Sequence, residues 1–410
     1  MISIINHMKI QMNKTNKSII AISAIYPDSL KKQLLKESVH LDMAAQTYEK
    51  AVINGLIKQN VNLTVIAAPL VRYASRSIRW IRGYKFKSVE NKKNEDIYIG
   101  NINVPILKMF YEFFVIRKNL KCLLKKNRDA TILIFSLHSP FLLAYYSLIG
   151  ISRKSCVVVY DLPQFMSEKK SLIYRMAKHV DQKLINFCLS KIDSYVLLSP
   201  YMKNCLPIGG KKWTQVEGIY NSTDSIAKIE STGTKMILYT GGISERYGVF
   251  DLIEAFTRIP YNDYRLCLCG NCSNMKLMNH YLQKDSRISF LGLVDKSEVY
   301  NLQAKATLMV NPRHSSGEFT KYSFPSKTME YLASGTPTVM CKLPALPDDY
   351  LDYLYIFDDE TIDGYARKIV EICSNDNKKL LDFGAKASLF IKSQKNEIAQ
   401  TRKILNVLYS

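Results

Sequence analysis

Short uninterrupted runs of apolar residues alternate along the chain with longer stretches in which apolar residues recur every three or four positions. The uninterrupted runs are typical of buried strands, and the spaced ones are typical of amphipathic helices. The rhythm is clearest in the second half, where KMILYTGG precedes GVFDLIEAFTRI and TLMVNP precedes SFPSKTMEYLASG. Strand-helix alternation at this spacing predicts an α/β protein with parallel sheets covered by helices on both faces.

Two apolar segments invite a membrane or export interpretation. The uncharged run at residues 130–152 is long enough to cross a bilayer, which needs about 20 apolar residues. Within it, however, TILIFSL predicts a buried strand, and FLLAYYSLIGI predicts a helix packed on a sheet. Near the amino end, SIIAISAIY is short and closed by Pro27, so a first core strand is favoured over a signal peptide.

The length of 410 residues predicts two to three domains at about 150 residues each. The strand-helix pattern breaks where Gly209, Gly210 and the stretch STGTK follow one another. We therefore predict a first domain at residues 1–205, a linker at 206–235, a second domain at 236–390 and a terminal helix at 391–410.

The net charge of +21 is concentrated in the first half, because residues 1–210 carry 32 basic and 13 acidic side chains. Such a field favours an anionic partner, which can be nucleic acid, an acidic lipid surface or a phosphorylated substrate. The nine cysteines are scattered, which favours a reducing, cytoplasmic environment. Cys267, Cys269 and Cys272 alternate like strand residues, and no second cluster completes a zinc site, so no metal is predicted.

The segment KMFYEFFVIRKNLKCLLKKNR predicts a basic amphipathic helix. Its apolar positions at helical spacing are Met109, Phe113, Ile116, Leu120, Leu123 and Leu124. Such a helix can lie peripherally in the interface of an anionic membrane, or it can pack in the ordinary way with a solvated basic face. A nucleic-acid-binding protein is the alternative of another class. No recognised binding module accompanies the charge, so we expect no nucleic-acid partner.

Two loops in the second half are suited to bind an anion. In YTGGISERYG, paired glycines at a strand end allow close backbone approach, and Arg246 stands just before the next helix. A glycine pair alone is more often simply a turn. In KYSFPSKTMEYLASGTP, Pro325 is expected to set the first helical turn, Ser323 to cap it and Gly335 to end it.

The second loop offers three kinds of polar group at one helix start. The Ser326 hydroxyl, the Lys327 ammonium group and free backbone amides can meet a phosphate, while the Glu330 carboxylate accepts hydrogen bonds from hydroxyl groups. This is the arrangement that a nucleotide requires. The alternative is a Lys327-Glu330 surface pair on a well-capped helix.

The quoted elements occur in an informative order: YTGGISERYG, LCLCG, ISFLGLV, TLMVNPR and EFTKYSFPSKTMEYLASGTP. This order resembles the donor-binding domain of retaining glycosyltransferases of family four (glycosyl transferases group 1), whose members commonly build bacterial surface polysaccharides. The first half resembles the acceptor domain of that family more weakly, through FSLHSPF and VVVYDLP. The resemblance implies the GT-B fold, with two doubly wound Rossmann-like domains facing each other across a cleft and a terminal helix crossing back.

The resemblance also implies roles for individual residues. It assigns the donor to Gly241, Gly242, Arg246, Leu293, Val294, Tyr322, Ser323, Pro325, Ser326, Lys327 and Glu330, the acceptor to His138 and Asp161, and catalysis to His138, Arg246, Glu318 and Lys327. Among these, Glu330 is expected to hold the ribose and the residues after Gly292 to meet the base. Tyr322 replaces the first Glu of the family's Glu-x7-Glu motif, and Glu318 is expected to contact the sugar instead. His138 is either a positioning residue or a buried structural histidine.

The function that the resemblance implies is transfer of a hexose or related sugar from a nucleotide-sugar to a glycan or lipid-linked acceptor. Configuration is retained by front-side attack, without a protein nucleophile. No Asp-x-Asp sequence occurs in the chain, so neither a metal nor another cofactor is expected. A nucleotide-sugar epimerase or a phosphorylase on the same fold is the alternative enzyme.

Overall fold

The chain forms two compact units, in a computed structural model that describes residues 17–36, 41, 43–70, 80–89, 92, 94–104, 106–151, 154–162, 172–221 and 233–409. Unit 1 comprises residues 1–197, 203–215 and 401–410, and unit 2 comprises residues 198–202 and 216–400. Among the helices within these ranges, none is long and apolar enough to cross a membrane. The run at residues 130–152 instead contains a strand followed by a helix, as its pattern predicts.

Unit 1 is built on an eight-stranded sheet. Its elements are β1 (Ser18–Ser23), α1 (Asp28–Lys36), α2 (Met43–Lys58), β2 (Asn62–Ala67), β3 (Trp80–Phe86), β4 (Asp96–Ile102), α3 (Leu107–Lys126), β5 (Thr131–Phe135), α4 (Ser139–Tyr146), β6 (Ser155–Val159), α5 (Leu172–Leu189), β7 (Ser194–Leu197) and β8 (Lys212–Gln215). The strand order is β3-β4-β2-β1-β5-β6-β7-β8, and every pair is parallel except β3 with β4. The strand order reverses direction between β1 and β5, where ligands bind in doubly wound sheets.

Unit 2 is built on a six-stranded parallel sheet. Its elements are β9 (Lys235–Thr240), α6 (Val249–Thr257), β10 (Tyr264–Cys269), α7 (Met275–Lys284), β11 (Ile288–Gly292), α8 (Lys296–Lys305), β12 (Leu308–Asn311), α9 (Ser326–Ala333), β13 (Thr338–Met340), β14 (Tyr355–Ile356), α10 (Ile362–Cys373), α11 (Asn377–Gln394) and α12 (Glu397–Tyr409), of which α12 continues into unit 1. The order β11-β10-β9-β12-β13-β14 reverses direction between β9 and β12. Both sheets are of the predicted doubly wound α/β type.

The predicted boundaries require two corrections. The linker predicted at residues 206–235 contains β8, which pairs in parallel with β7 in the sheet of unit 1. Its four residues are half-buried or exposed, so they lack the apolar run that marks the other strands. The terminal helix predicted at residues 391–410 is in fact the end of α11 followed by α12, and only residues 401–410 group with unit 1.

Helix α3 also differs from its prediction. Ile116, Leu120 and Leu124 are buried as expected, but Met109 is 42% exposed. The buried stripe continues toward the amino end through two charged residues, Lys108 and Glu112. An apolar pattern could not predict this face, because it is buried by polar contacts described below.

Helix α9 is fixed against α11 by a contact between two glycines. A Cβ atom added to Gly384 of α11 would lie 1.9 Å from the carbonyl oxygen of Gly335. Gly335 ends α9 as predicted and has a φ of +78°, a conformation that favours glycine. The two helices therefore approach as closely as their backbones permit.

Candidate functional site

A pocket of about 200 Å³ opens in unit 2 at the carboxyl ends of β9 and β12, where the strand order reverses. Its lining comes from the turn after β9, the loop after β12 and the start of α9. The lining residues are Tyr239, Thr240, Gly241, Gly242, Tyr247, Asn311, Arg313, Pro325, Ser326, Lys327 and Tyr331. This is the place in an open parallel sheet where ligands bind.

The turn at Gly241 and Gly242 is held by close backbone packing. A Cβ atom on Gly270, at the end of β10, would lie 1.7 Å from the carbonyl oxygen of Gly241. The Tyr239 hydroxyl donates a hydrogen bond to the carbonyl oxygen of Gly242, at 2.8 Å. The turn presents backbone to the pocket at a fixed place, as the glycine pair predicts.

Helix α9 is joined to the ends of both strands. The Tyr331 hydroxyl donates to the carbonyl oxygen of Thr240 at 2.7 Å and accepts from the Thr240 amide at 2.8 Å. The Asn311 amide donates to the Thr328 hydroxyl at 3.2 Å. These bonds orient the amino end of α9, which carries partial positive charge, toward the pocket.

The predicted cap of α9 is wrong. The residue that precedes the helix is Pro325, which offers no side-chain hydrogen bond to the first turn. The Ser323 hydroxyl instead donates to the carbonyl oxygen of Phe319 at 3.0 Å and accepts from Arg313 at 3.3 Å. The mouth of α9 therefore keeps uncapped amides beside Ser326 and Lys327, which suits an anionic ligand.

Arg313, two residues after the end of β12, is the cationic residue that the sequence interpretation missed. Its guanidinium group is half-buried and lies over the rings of Tyr247 and Phe319, at 4.9 and 5.4 Å from their centroids. Burial lowers the pKa of Arg313 from its usual value. Among the described residues it forms no ion pair with a carboxylate. A cation in that position can pair with an anion that enters the pocket.

Arg246, to which the donor phosphates were assigned, lies beside the pocket and is not among its lining residues. Its guanidinium group stacks over the ring of Phe319 at 4.3 Å. Arg246 and Arg313 thus contact the same ring, and the charge of Arg246 adds to burial in lowering the pKa of Arg313.

Lys327 lines the pocket, and its ammonium group is 3.2 Å from the Glu330 carboxylate. Glu330 keeps 29% of its side-chain surface exposed and does not itself line the pocket. Its other contact is Gln303, a fully buried residue of α8 whose amide donates to Glu330 at 2.8 Å. The predicted Lys327-Glu330 pair is therefore present, and Gln303 of α8 orients it, a contact that the sequence interpretation did not predict.

Other predicted donor residues lie outside the pocket lining. The Glu318 side chain is 61% exposed and binds Lys321 at 2.9 Å, a hydrogen bond that lowers the pKa of Glu318. The Tyr322 hydroxyl donates to Glu318 at 3.3 Å. Leu293 is 81% exposed, and Val294 packs against a core cluster. The pocket therefore gathers Gly241, Gly242, Pro325, Ser326 and Lys327 from the predicted set, together with Arg313.

In unit 1, the carboxyl ends of β1, β5 and β6 carry polar side chains. Nε2 of His138, after β5, lies 2.8 Å from Oε2 of the buried Glu112. The Glu49 carboxylate accepts hydrogen bonds from the Tyr160 hydroxyl at 2.6 Å and from the Ser23 hydroxyl. Asp161, the other predicted acceptor residue, follows β6 and is exposed. The part of the chain that the structure describes holds no group of three or more His, Cys, Asp and Glu placed for a metal ion.

Comparison with known proteins agrees with this geometry. Residues 221–389, all within unit 2, match the family model described as Glycosyl transferases group 1. No curated protein is significantly similar to the chain in sequence.

Solved structures resemble the whole chain. The lipopolysaccharide outer core galactosyltransferase WaaB, in its apo form, is 14% identical with a TM-score of 0.61 and covers 96% of this chain and 99% of its own. Sucrose-phosphate synthase from Thermosynechococcus elongatus is 14% identical with a TM-score of 0.59 and covers 95% and 98%. Anabaena HepE, in complex with UDP and glucose, is 12% identical with a TM-score of 0.54 and covers 96% and 99%.

The two Rossmann-like units and these structures show that the chain has the GT-B fold, as predicted. The matched domain, together with the glycosyltransferase neighbours, supports a glycosyltransferase enzyme.

Proposed function

We propose that this protein is a retaining glycosyltransferase of family four that moves a hexose or related sugar from a nucleotide-sugar to a glycan or lipid-linked acceptor in bacterial surface-polysaccharide synthesis. The observation that carries this proposal is the half-buried Arg313 guanidinium, which lines the pocket and forms no ion pair with a carboxylate among the described residues. A bound diphosphate would be the negatively charged partner that this guanidinium lacks among the described residues.

The chemistry of transfer accounts for the other lining groups. The bond between the sugar C1 and the diphosphate oxygen breaks, and negative charge develops on the departing phosphate. Arg313, Lys327 and the first amides of α9 stabilise that charge. The acceptor hydroxyl attacks C1 from the same face, and its proton passes to the departing phosphate oxygen. The protein supplies positioning and electrostatic stabilisation, and Glu330 binds the ribose hydroxyls.

We infer that the acceptor binds unit 1, at the carboxyl ends of β1 and β5. Polar groups that suit sugar hydroxyls lie near these strand ends, namely His138 after β5, Tyr160 after the neighbouring β6, and Glu49 of α2, which binds Ser23 at the end of β1. The resembling structures support the substrate class, since HepE is described in complex with UDP and glucose and WaaB as a galactosyltransferase.

We further propose that unit 1 contacts an anionic membrane surface that carries the acceptor. Large apolar side chains are exposed to solvent around the start of α3. Their exposed fractions are 68% for Trp80, 58% for Leu107, 57% for Phe110 and 61% for Phe114. Lys118, Lys121 and Lys125 are exposed on the same helix. Aromatic side chains beside lysines are characteristic of helices that lie in a membrane interface.

Titration of the full chain with UDP by isothermal titration calorimetry tests the donor site. We expect UDP to bind the wild type, and Arg313→Ala and Lys327→Ala each to weaken binding by at least about tenfold, because each removes a charge-assisted hydrogen bond to phosphate. Arg367→Ala is the matched control, since Arg367 lies on α10 and pairs with Asp359 at the surface. Equal affinity of the wild type and Arg313→Ala for UDP would refute the proposed site.

A further inference from the structure

A histidine, a carboxylate and an ammonium group meet between α3 and the carboxyl end of β5. Nε2 of His138 is 2.8 Å from one oxygen of Glu112, and the other oxygen is 3.8 Å from Nζ of Lys108. The Glu112 side chain is 2% exposed, whereas the imidazole keeps 23% of its surface. The imidazole is therefore the member of this group that a ligand can reach.

The plane of the imidazole is fixed from a second direction. The ring of Phe141, which is fully buried in α4, meets the imidazole edge to face at 4.9 Å and 88°. The backbone amide of Phe141 donates to the carbonyl oxygen of His138 at 3.0 Å. With Glu112 on Nε2 and Phe141 against the ring, neither rotation nor flipping of the imidazole is free.

These contacts select one tautomer of His138. A carboxylate accepts hydrogen bonds and donates none, so the hydrogen of the pair with Glu112 belongs to Nε2 of the imidazole. A neutral imidazole with hydrogen on Nε2 carries a lone pair on Nδ1. Within the described ranges, Nδ1 has no hydrogen-bond partner. Nδ1 of His138 is thus an available hydrogen-bond acceptor at the carboxyl end of β5, where the strand order reverses direction.

We propose that Glu112 is a positioning residue that holds His138 as the Nε2-H tautomer, so that Nδ1 accepts a hydrogen bond from a hydroxyl group of the acceptor sugar. The identity of this ligand as a sugar rests on the proposed function, whereas the tautomer follows from the contacts alone. With hydrogen on Nδ1 instead, the ring could not accept a hydrogen bond from the sugar hydroxyl and could only donate one to its oxygen. The tautomer therefore decides whether the hydroxyl hydrogen points toward the ring or away from it.

Nitrogen-15 NMR of the histidine-labelled full chain tests the tautomer without any substrate. At about pH 8, we expect Nδ1 of His138 at the unprotonated chemical shift and Nε2 at the protonated one. His138→Gln identifies the signals among the six histidines. Glu112→Gln should give a mixture of tautomers, since an amide can donate as well as accept. Glu95→Gln, at an exposed pair with Lys85, is the matched control and should change nothing.

The hydroxyl contact is tested by adding methyl glycosides of glucose, galactose and N-acetylglucosamine to the same sample. At least one should shift the Nδ1 signal of the wild type, and the shift at the same glycoside concentration should fall about twofold or more in Glu112→Gln, because only molecules that keep the Nε2-H tautomer can accept the hydrogen bond. An Nδ1-H tautomer in the wild type, or an Nδ1 signal that none of the three glycosides moves, overturns the proposal. The full chain is titrated with UDP in parallel, which tests the donor site in unit 2. Failure of UDP to bind would contradict the proposed function while the tautomer measurement still stands.

Discussion

At the scale of single residues, the sequence predicts the pocket best where local geometry decides the outcome. Gly241, Gly242 and Lys327 line it because a strand-end turn and a helix start determine their places. The choice between Arg246 and Arg313 could not be predicted in this way. Both arginines lie near strand ends in the chain, and only their packing around Phe319 decides which guanidinium reaches the pocket. The position of Arg313 two residues after β12 is the signal that could have found it.

A residue-scale prediction concerns Asp285, which binds Arg287 through two hydrogen bonds of 2.7 and 3.0 Å in a site where both side chains are less than one-sixth exposed. The hydrogen bond to Arg287 lowers the pKa of Asp285. A depressed carboxyl pKa stabilises the fold above the unfolded pKa of about 3.9, and this stability is lost as pH falls through the folded value. Asp285→Asn should therefore lower the free energy of unfolding by about 1–2 kcal/mol at pH 7 and by little near pH 2.

Urea denaturation across this pH range measures the effect. Asp382→Asn, at an exposed position of α11, provides the control and should show no such pH dependence. A loss for Asp285→Asn that is equal at both ends of the range would rule out the ion pair as its cause.

At the scale of elements, the periodicity of apolar residues predicts where a helix forms, but it does not always predict which face of that helix is buried. The sequence predicts α3 as a helix, and Ile116, Leu120 and Leu124 as part of its buried stripe. The first turns depart from the apolar pattern because Glu112 binds His138, a residue brought close only by the fold. Met109, Phe110 and Phe114 are consequently turned to the surface.

This exposed face leads to a membrane prediction. The double variant Phe110→Ser with Phe114→Ser should reduce co-sedimentation with phosphatidylglycerol vesicles by about tenfold or more, because each ring removed from water contributes about 1.5–3 kcal/mol. Leu389→Ser, which changes an equally exposed apolar residue of unit 2, should leave sedimentation unchanged. Binding of the double variant at the level of the wild type would exclude α3 as the contact.

At the scale of the whole molecule, strand-helix alternation predicts two doubly wound sheets, and both are present. The order of strands could not be predicted, since it depends on which side each crossover takes. For the same reason, the sequence could not predict which residues belong to unit 1, since this unit is formed by three separate stretches of the chain. Residues 401–410 belong to it because Thr401 accepts a hydrogen bond from Gln59 at 2.6 Å and the Leu408 carbonyl accepts one from Lys154 at 3.2 Å.

Deletion of residues 401–410 should therefore loosen unit 1 although the cut is far from it in sequence. We expect faster amide hydrogen exchange in α2 and β6, because Gln59 and Lys154 beside them lose their hydrogen bonds to this segment, and unchanged exchange in β9 and β12 of unit 2. Hydrogen-exchange mass spectrometry checks this, with Arg402→Ala as a control that keeps the segment. Faster exchange confined to unit 2 would contradict the assignment of this segment.

The contact between Gly335 and Gly384 limits how related sequences can differ from this one. Gly384 cannot acquire a side chain while α9 stays in place, since the added carbon would overlap the carbonyl group of Gly335. Gly335 is restricted for a different reason, because its φ of +78° is one that residues with a side chain rarely adopt. Both positions should therefore be glycine in related sequences that keep this helix contact, although β13, β14, α10 and the start of α11 separate them in the chain. Joint retention of glycine in these two columns is what an inventory of homologues should display.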